Sequence, residues 1–227
     1  MTHQIVHTIQ QIARHEAQQR WGANLGVVTS VHGGNGASDY ACTVALRELG
    51  IVLPRVPIAT GVIGAAALPR ENDLVLVVFA GGDIHAPVVV GRLYNEVVAP
   101  PKNGPGELVV SLPGDETASD KLMELRVKTP GDGTRSATLT LDGQVPITLT
   151  VDDDGLKVAV GEARLTVKQT SSSDGSVEVK VGDAKITVSQ NGDLALEAGG
   201  KLTLKGASVE IAGDSEVKIN GQTVNIN

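Results

Sequence analysis

The chain has 227 residues, 41% of them apolar and 20% charged, with a single cysteine and a formal net charge of −7. The apolar content excludes wholesale disorder, the lone Cys42 excludes a disulfide framework or a thiolate zinc site within one chain, and the acidic balance argues against a nucleic-acid partner, which would need a basic face. No apolar run approaches the ~18 residues of a membrane span and the first turns are polar throughout, so neither a span nor a secretory signal is expected.

Residues 1–21 read as a short helix, with Ile5, Ile9, Ile12 and Ala13 at helical spacing and Trp21-Gly22 ending the pattern. His3, His7 and His15 fall near one face. They read as solvated polar positions, because no carboxylate or cysteine completes a metal set. Residues 22–98 alternate as a small barrel of the OB type. Leu25, Val27 and Val31, then Cys42, Val44 and Leu46, then Leu74 to Phe79, then Val88 to Leu93 mark strands between Gly, Pro and Asp breakers. The barrel has almost none of the stacking aromatics and basic side chains that single-stranded nucleic acid requires.

Within it, Leu68-Pro69-Arg70-Glu71-Asn72-Asp73 leads into Leu74-Val75-Leu76-Val77-Val78-Phe79, followed by Gly81-Gly82-Asp83 and then Pro87-Val88-Val89-Val90-Gly91-Arg92-Leu93-Tyr94-Asn95. This run resembles the hub domain of phage baseplate assembly protein V and related contractile-tail spikes, and Trp21 to Val31 resembles that domain's first strand. Asn72 stands where the family commonly has Gly, and Asn tolerates positive φ nearly as readily. Gly81, Gly82 and Asp83 read as a hairpin turn. Pro87 sits at a strand entrance, and Tyr94 is expected to close the barrel with its ring. Gly91, Leu93 and Asn95 complete the set of fold signatures.

Residues 99–106 form a Pro- and Gly-rich linker. From there to residue 227 no aromatic, histidine or cysteine occurs, and apolar pairs two apart recur between turn residues. They run from Leu139/Leu141 through Ile186/Val188, Leu194/Leu196, Leu202/Leu204, Val209/Ile211 and Val217/Ile219 to Val224/Ile226, and from Ile186 their first members are 8, 8, 7, 8 and 7 residues apart. A short fixed period marks a fibrous β-helix. Strands this short cannot hide their apolar face in one chain. Three chains can, around an axis too narrow for aromatic rings and with backbone groups pairing between chains. The resembling family is trimeric with such a needle, so the expected fold is all-β: N-terminal helix (1–21), OB barrel (22–98), linker (99–106) and intertwined triple-stranded β-helix (107–227). Segment 107–135 fits the period least well.

Catalytic and metal chemistry find no support. Asp152-Asp153-Asp154-Gly155 is half a calcium loop without the later bidentate Glu, Gly33-Gly34-Asn35-Gly36 lacks the lysine of a phosphate loop, and Asp115/Glu116 have no apolar pocket. No cofactor and no enzyme activity are expected. The resemblance implies a homotrimeric central spike of a contractile tail or injection particle, assembled in the cytoplasm and then part of the virion baseplate or the particle. Its barrel would meet tail-tube and baseplate proteins, and its needle the target membrane. Some relatives end in an iron-binding His-x-His tip. This sequence has no histidine there, so Thr223, Val224, Asn225, Ile226 and Asn227 are expected instead to dock a tip protein of the proline-alanine-alanine-arginine repeat type. A type VI secretion-like spike or effector carrier is the alternative.

Overall fold

The computed structural model describes residues 6–7, 21–34, 37–113, 121–131 and 133–225 and divides into two units, Met1–Pro100 and Pro101–Asn227. Val6 and His7 are helical. The rest of the expected N-terminal helix, with His3 and His15, lies outside the described residues.

The first unit is a five-stranded antiparallel sheet of β1 (Asn24–Gly34), β2 (Ala37–Leu46), β3 (Val52–Pro57), β4 (Leu74–Phe79) and β5 (Pro87–Leu93), in the order β3-β2-β1-β4-β5. The long β1 carries irregularities after Val28 and after His32. Such bulges bend a strand and let it serve both halves of a closing sheet. A parallel bridge between Ile58 and Val89 joins the two edges, which makes the sheet a barrel. Period-two alternation fills it: Val75, Val77 and Phe79 of β4 point inward and meet Val28, Cys42, Val44, Leu53, Val56 and Val89, all buried. Burial holds the Cys42 thiol pKa above its ordinary value.

Several sequence expectations are met at the level of dihedral angles. Asn72 has φ +74°, and Gly81 and Gly82 have φ +64° and +81° in the 3-10 turn Ala80–Gly82 that joins β4 to β5. Pro87 opens β5 opposite Phe79. Tyr94 needs correction, because it follows the last residue of β5 and is 58% exposed. The barrel is plugged by Phe79, which falls on the inward phase of β4. Its ring meets Trp21 at 5.5 Å between centroids and 53° between planes. Trp21 belongs to this unit as well through its N–H, which donates to Gly82 O at 3.0 Å.

The second unit is a nine-stranded antiparallel meander of β6 (Glu107–Leu112), β7 (Met123–Lys128), β8 (Ser136–Leu141), β9 (Ile147–Asp152), β10 (Gly155–Val160), β11 (Ala163–Ser171), β12 (Asp174–Val181), β13 (Ala184–Ser189) and β14 (Leu194–Ala198), each paired with its neighbours in sequence. The sequence reading put this pairing between chains. Through residue 198 it lies within one chain, and the turns are the reason. Gly161-Glu162 separates the paired residues Val160 and Ala163, and Gly182-Asp183 separates Val181 and Ala184. Two-residue turns with glycine at φ +57° and +54° fold a strand back onto its predecessor. β6 and β7 also lie in the segment where the apolar period had seemed ragged. Residues 199–225 contain no strand.

Candidate functional site

The register places the apolar side chains of the meander in three unbroken columns on one face. Directly opposed residues of an antiparallel ladder share a face, so the central column runs Val110, Leu125, Leu139, Leu149, Val158, Leu165, Val179, Ile186 and Leu196. One flank runs from Leu108 and Val127 through Leu156 and Val177 to Leu194. The other runs from Leu112 and Met123 through Val160 to Ala184 and Ala198. Every position of the three columns is Ala, Val, Ile, Leu or Met.

That face is bare. Val110 is 46% exposed, Ile186 44% and Leu194 63%, and every buried hydrophobic among the described residues lies in the barrel. With strands ~4.8 Å apart and alternate residues ~6.8 Å apart, the three columns cover roughly 900 Å², more than the largest apolar patch a monomer normally leaves uncovered. A single-layered sheet has no second layer of its own to bury such a face.

The opposite face is polar and internally paired. Thr138 and Thr150 hydroxyls lie 3.4 Å apart. Lys157 bonds Asp152 at 2.7 Å, and Lys185 lies between Glu178 and Glu197. At the start of the sheet Arg126 bridges Glu107 and Glu124, both at 2.9 Å, and also donates to Lys102 O. Glu107 further accepts from Lys128 at 2.9 Å and from the Gly104 N–H. These bonds pin residues 102–104 onto the sheet.

The Lys128 ammonium, joined by the Gly104 N–H and the charges of Lys128 and Arg126, holds the Glu107 carboxyl below its ordinary pKa. The Lys157 ammonium, with the N–H groups of Asp154 and Gly155, does the same for Asp152. Carboxyls whose pKa is lower in the folded chain add stability above the unfolded value, near ~4, and lose it as pH falls through the folded value. The sheet is therefore expected to melt at lower temperature as pH drops below about 4, and Glu107→Gln is expected to flatten that slope. Circular dichroism melts of both proteins at pH 3 and pH 6 check this, and an unchanged slope in the variant would count against the role of Glu107.

The residues singled out in the sequence divide between the two units. Gly81, Gly82, Asp83, Pro87, Gly91, Leu93, Tyr94 and Asn95 lie in or beside the β4–β5 hairpin and shape the barrel. Asn95 Oδ1 accepts from the N–H groups of Val97 and Val98, each at 2.8 Å, which ends the unit in an Asx turn. Ile186, Val188, Leu194 and Leu196 stand on the apolar face of β13 and β14. Leu202, Leu204, Val209, Ile211, Val217, Ile219 and Val224 are exposed and outside any ladder. Thr223 and Asn225 are likewise exposed, and Ile226 and Asn227 lie outside the described residues. Apart from Leu141 and Ile147, the third apolar column escaped the pair pattern, as did the whole of β6 and β7, although Leu108/Val110/Leu112 and Met123/Leu125/Val127 carry the same alternation.

Asp152 shapes a turn, its Oδ1 accepting from the Asp154 and Gly155 N–H groups at 3.0 Å, while Asp153 pairs with Arg135 at 2.7 Å. Asp115 and Glu116 lie outside the described residues. Among the described residues no group of three or more His, Cys, Asp or Glu is arranged to hold a metal ion.

Compared with known families, residues 47–94 match the model of the type VI secretion system/phage-baseplate injector OB domain. A comparison of the chain with curated proteins finds no match. The matched stretch covers β3 to β5 and the glycine turn between β4 and β5; of the residues that carry the sequence resemblance it includes Leu68 to Tyr94 and not Trp21 to Val31. Over residues 47–94 the barrel is similar to the injector OB domain shared by phage baseplates and type VI secretion systems.

Proposed function

We propose that this chain is the central spike of a contractile phage tail or contractile injection system, and that it acts mechanically as a homotrimer. One observation carries the proposal. A unit attached to a barrel similar to an injector OB domain presents three apolar columns that no other described residue buries. Three copies related by a three-fold axis bring these faces together as the sides of a prism, the central columns meeting on the axis. Small aliphatic side chains fit so narrow a core, which accounts for the absence of aromatics after Tyr94. Nine strands at ~4.8 Å give the self-paired part a length of roughly 40 Å.

In this reading the barrels form the hub at the tail tube and its baseplate proteins, and the needle meets the target membrane when the sheath contracts. A proline-alanine-alanine-arginine repeat protein docks on the end formed by residues 223–227. The protein is assembled in the cytoplasm and becomes part of the virion baseplate or particle. The matched domain is shared with type VI secretion, so a spike that carries effectors is the second reading. Electron microscopy of particles from the producing cell, with the chain carrying an epitope on an outward needle residue and decorated by antibody, tests the assignment. Label at the distal end of the tube is expected, and particles without label there would overturn it.

A further inference from the structure

We propose that Asn220-Gly221 is a self-modification site, at which the Gly221 backbone nitrogen attacks the Asn220 side-chain carbonyl and converts the asparagine to aspartate and isoaspartate. The step needs only water. The nitrogen loses its proton and bonds to Cγ, the side-chain amide leaves as ammonia, and water then opens the resulting succinimide at either carbonyl. Opening at Cγ gives aspartate, and opening at the backbone carbonyl gives isoaspartate.

The sequence has Asn-Gly steps at Asn35, Asn103, Asn191 and Asn220, and in each the second residue has no side chain to crowd the attack. Asn35-Gly36 lies outside the described residues. The other three differ in what decides the reaction, which is whether the glycine nitrogen and the asparagine side chain are free to meet. A hydrogen-bonded site reacts only during the fraction of time it is open.

At Asn103 the backbone is held on both sides. Gly104 N–H donates to Glu107 Oε2 at 3.3 Å, Gly104 O accepts from the Glu107 N–H at 3.1 Å, and Lys102 O accepts from Arg126 at 3.1 Å. At Asn191 the nucleophile and the side chain are both engaged. Gly192 N–H donates to Ser189 O at 2.9 Å, Asn191 Oδ1 accepts from the Asp193 N–H at 3.1 Å, and Asn191 Nδ2 donates to Asp193 Oδ2 at 2.8 Å.

Asn220-Gly221 is open. Both residues are exposed, neither belongs to a strand, and among the described residues neither makes a hydrogen bond through backbone or side chain. Nor does the backbone require glycine there. Gly221 has no φ in the left-handed region, and a Cβ on it would stand 3.4 Å from Thr223 O, an ordinary contact. What glycine supplies at this position is access to the nitrogen.

The product stands between the apolar pairs Val217/Ile219 and Val224/Ile226, outside their alternation. Aspartate adds one negative charge to each chain beside residues 223–227. Isoaspartate routes the backbone through the side chain, lengthens it by one carbon and moves Val224 out of phase with Ile219. On the reading that residues 223–227 dock a tip protein, the conversion limits the lifetime of that end; the chemistry at Asn220 does not depend on that reading.

The test incubates the purified full chain at mildly alkaline pH and follows each asparagine by peptide mapping with mass spectrometry, with isoaspartate read by labelling with an isoaspartyl methyltransferase. The same chain unfolded in urea sets the reference rate. In the folded protein Asn220 is expected to convert at nearly the unfolded rate, and Asn103 and Asn191 at least about tenfold more slowly, since each must first break two or more hydrogen bonds. Gly221→Val, whose branched side chain shields the nitrogen, is expected to suppress conversion at Asn220. Conversion at Asn220 as slow as at Asn103 and Asn191 would overturn the proposal, and so would a Gly221→Val protein that converts as fast as the parent. The solution mass of the same samples tests the trimeric reading separately.

Discussion

Val158→Asp is expected to reduce the purified protein from three times 23.4 kDa to the mass of one chain, with the emission of Trp21 unchanged. Val158 occupies the central column between Leu149 and Leu165, the column nearest the proposed axis. Three copies would bring three carboxylates together in an apolar core with no cation opposite. Desolvation costs several kcal/mol for each such ion, and like charges at close range add to it. The sheet of one chain faces water on this side, so the substitution does no harm until chains associate. Lys157→Asp, one residue away on the opposite face, is expected to assemble normally, and so is Val158→Ile. Light scattering reads the mass. The only tryptophan packs on Phe79 in the barrel and reports that unit alone. A parent protein of two chains would mean that two faces close as a sandwich, and one of a single chain would remove the spike reading altogether.

The barrel was readable because its signals are local. Alternation in Leu74–Phe79, glycine at the β4–β5 turn and Asn72 before Asp73 each depend on a few neighbouring dihedral angles, and each is where the sequence put it. Tyr94 was misplaced for the same reason. A resemblance fixes its position in the chain, but its exposure depends on where β5 ends. In the needle the sequence showed which residues alternate and not with whom they pair. The deciding clue was present in Gly161-Glu162 and Gly182-Asp183, since turns of two residues demand pairing with the sequence neighbour. Beyond Leu141 and Ile147 the third column was hidden because part of it is alanine, at Ala163, Ala184 and Ala198, whose single methyl group is too small to stand out in an apolar alternation. Its small size is also what the corners of a narrow prism would favour.

The barrel has its own point of greatest sensitivity. Gly26 lies in the middle of the ladder, opposite Leu46 of β2 on one side and Val75 of β4 on the other. A Cβ there would stand 2.2 Å from Val44 Cγ1 and 3.2 Å from Ala45 O. Val44 is fully buried and stiff at χ1, so its methyl group has no free rotamer to swing into. Gly26→Ala is therefore expected to cost about 1–3 kcal/mol through overpacking, a large share of the ~5–15 kcal/mol that holds a domain folded. Urea titration followed by Trp21 emission should show the barrel unfolding at a clearly lower midpoint. Solution mass should remain that of three chains, because the apolar columns belong to the other unit. Removing the obstructing methyl identifies the cause. Val44→Ala alone destabilises by opening a cavity, but combined with Gly26→Ala it gives the new Cβ a place to sit, so the pair should cost less than the sum of the two single changes by about 1 kcal/mol or more. An additive pair, or a Gly26→Ala protein with the parent's midpoint, would mean that β1 and β2 can move apart at this position and that the Val44 methyl group is not what requires glycine there.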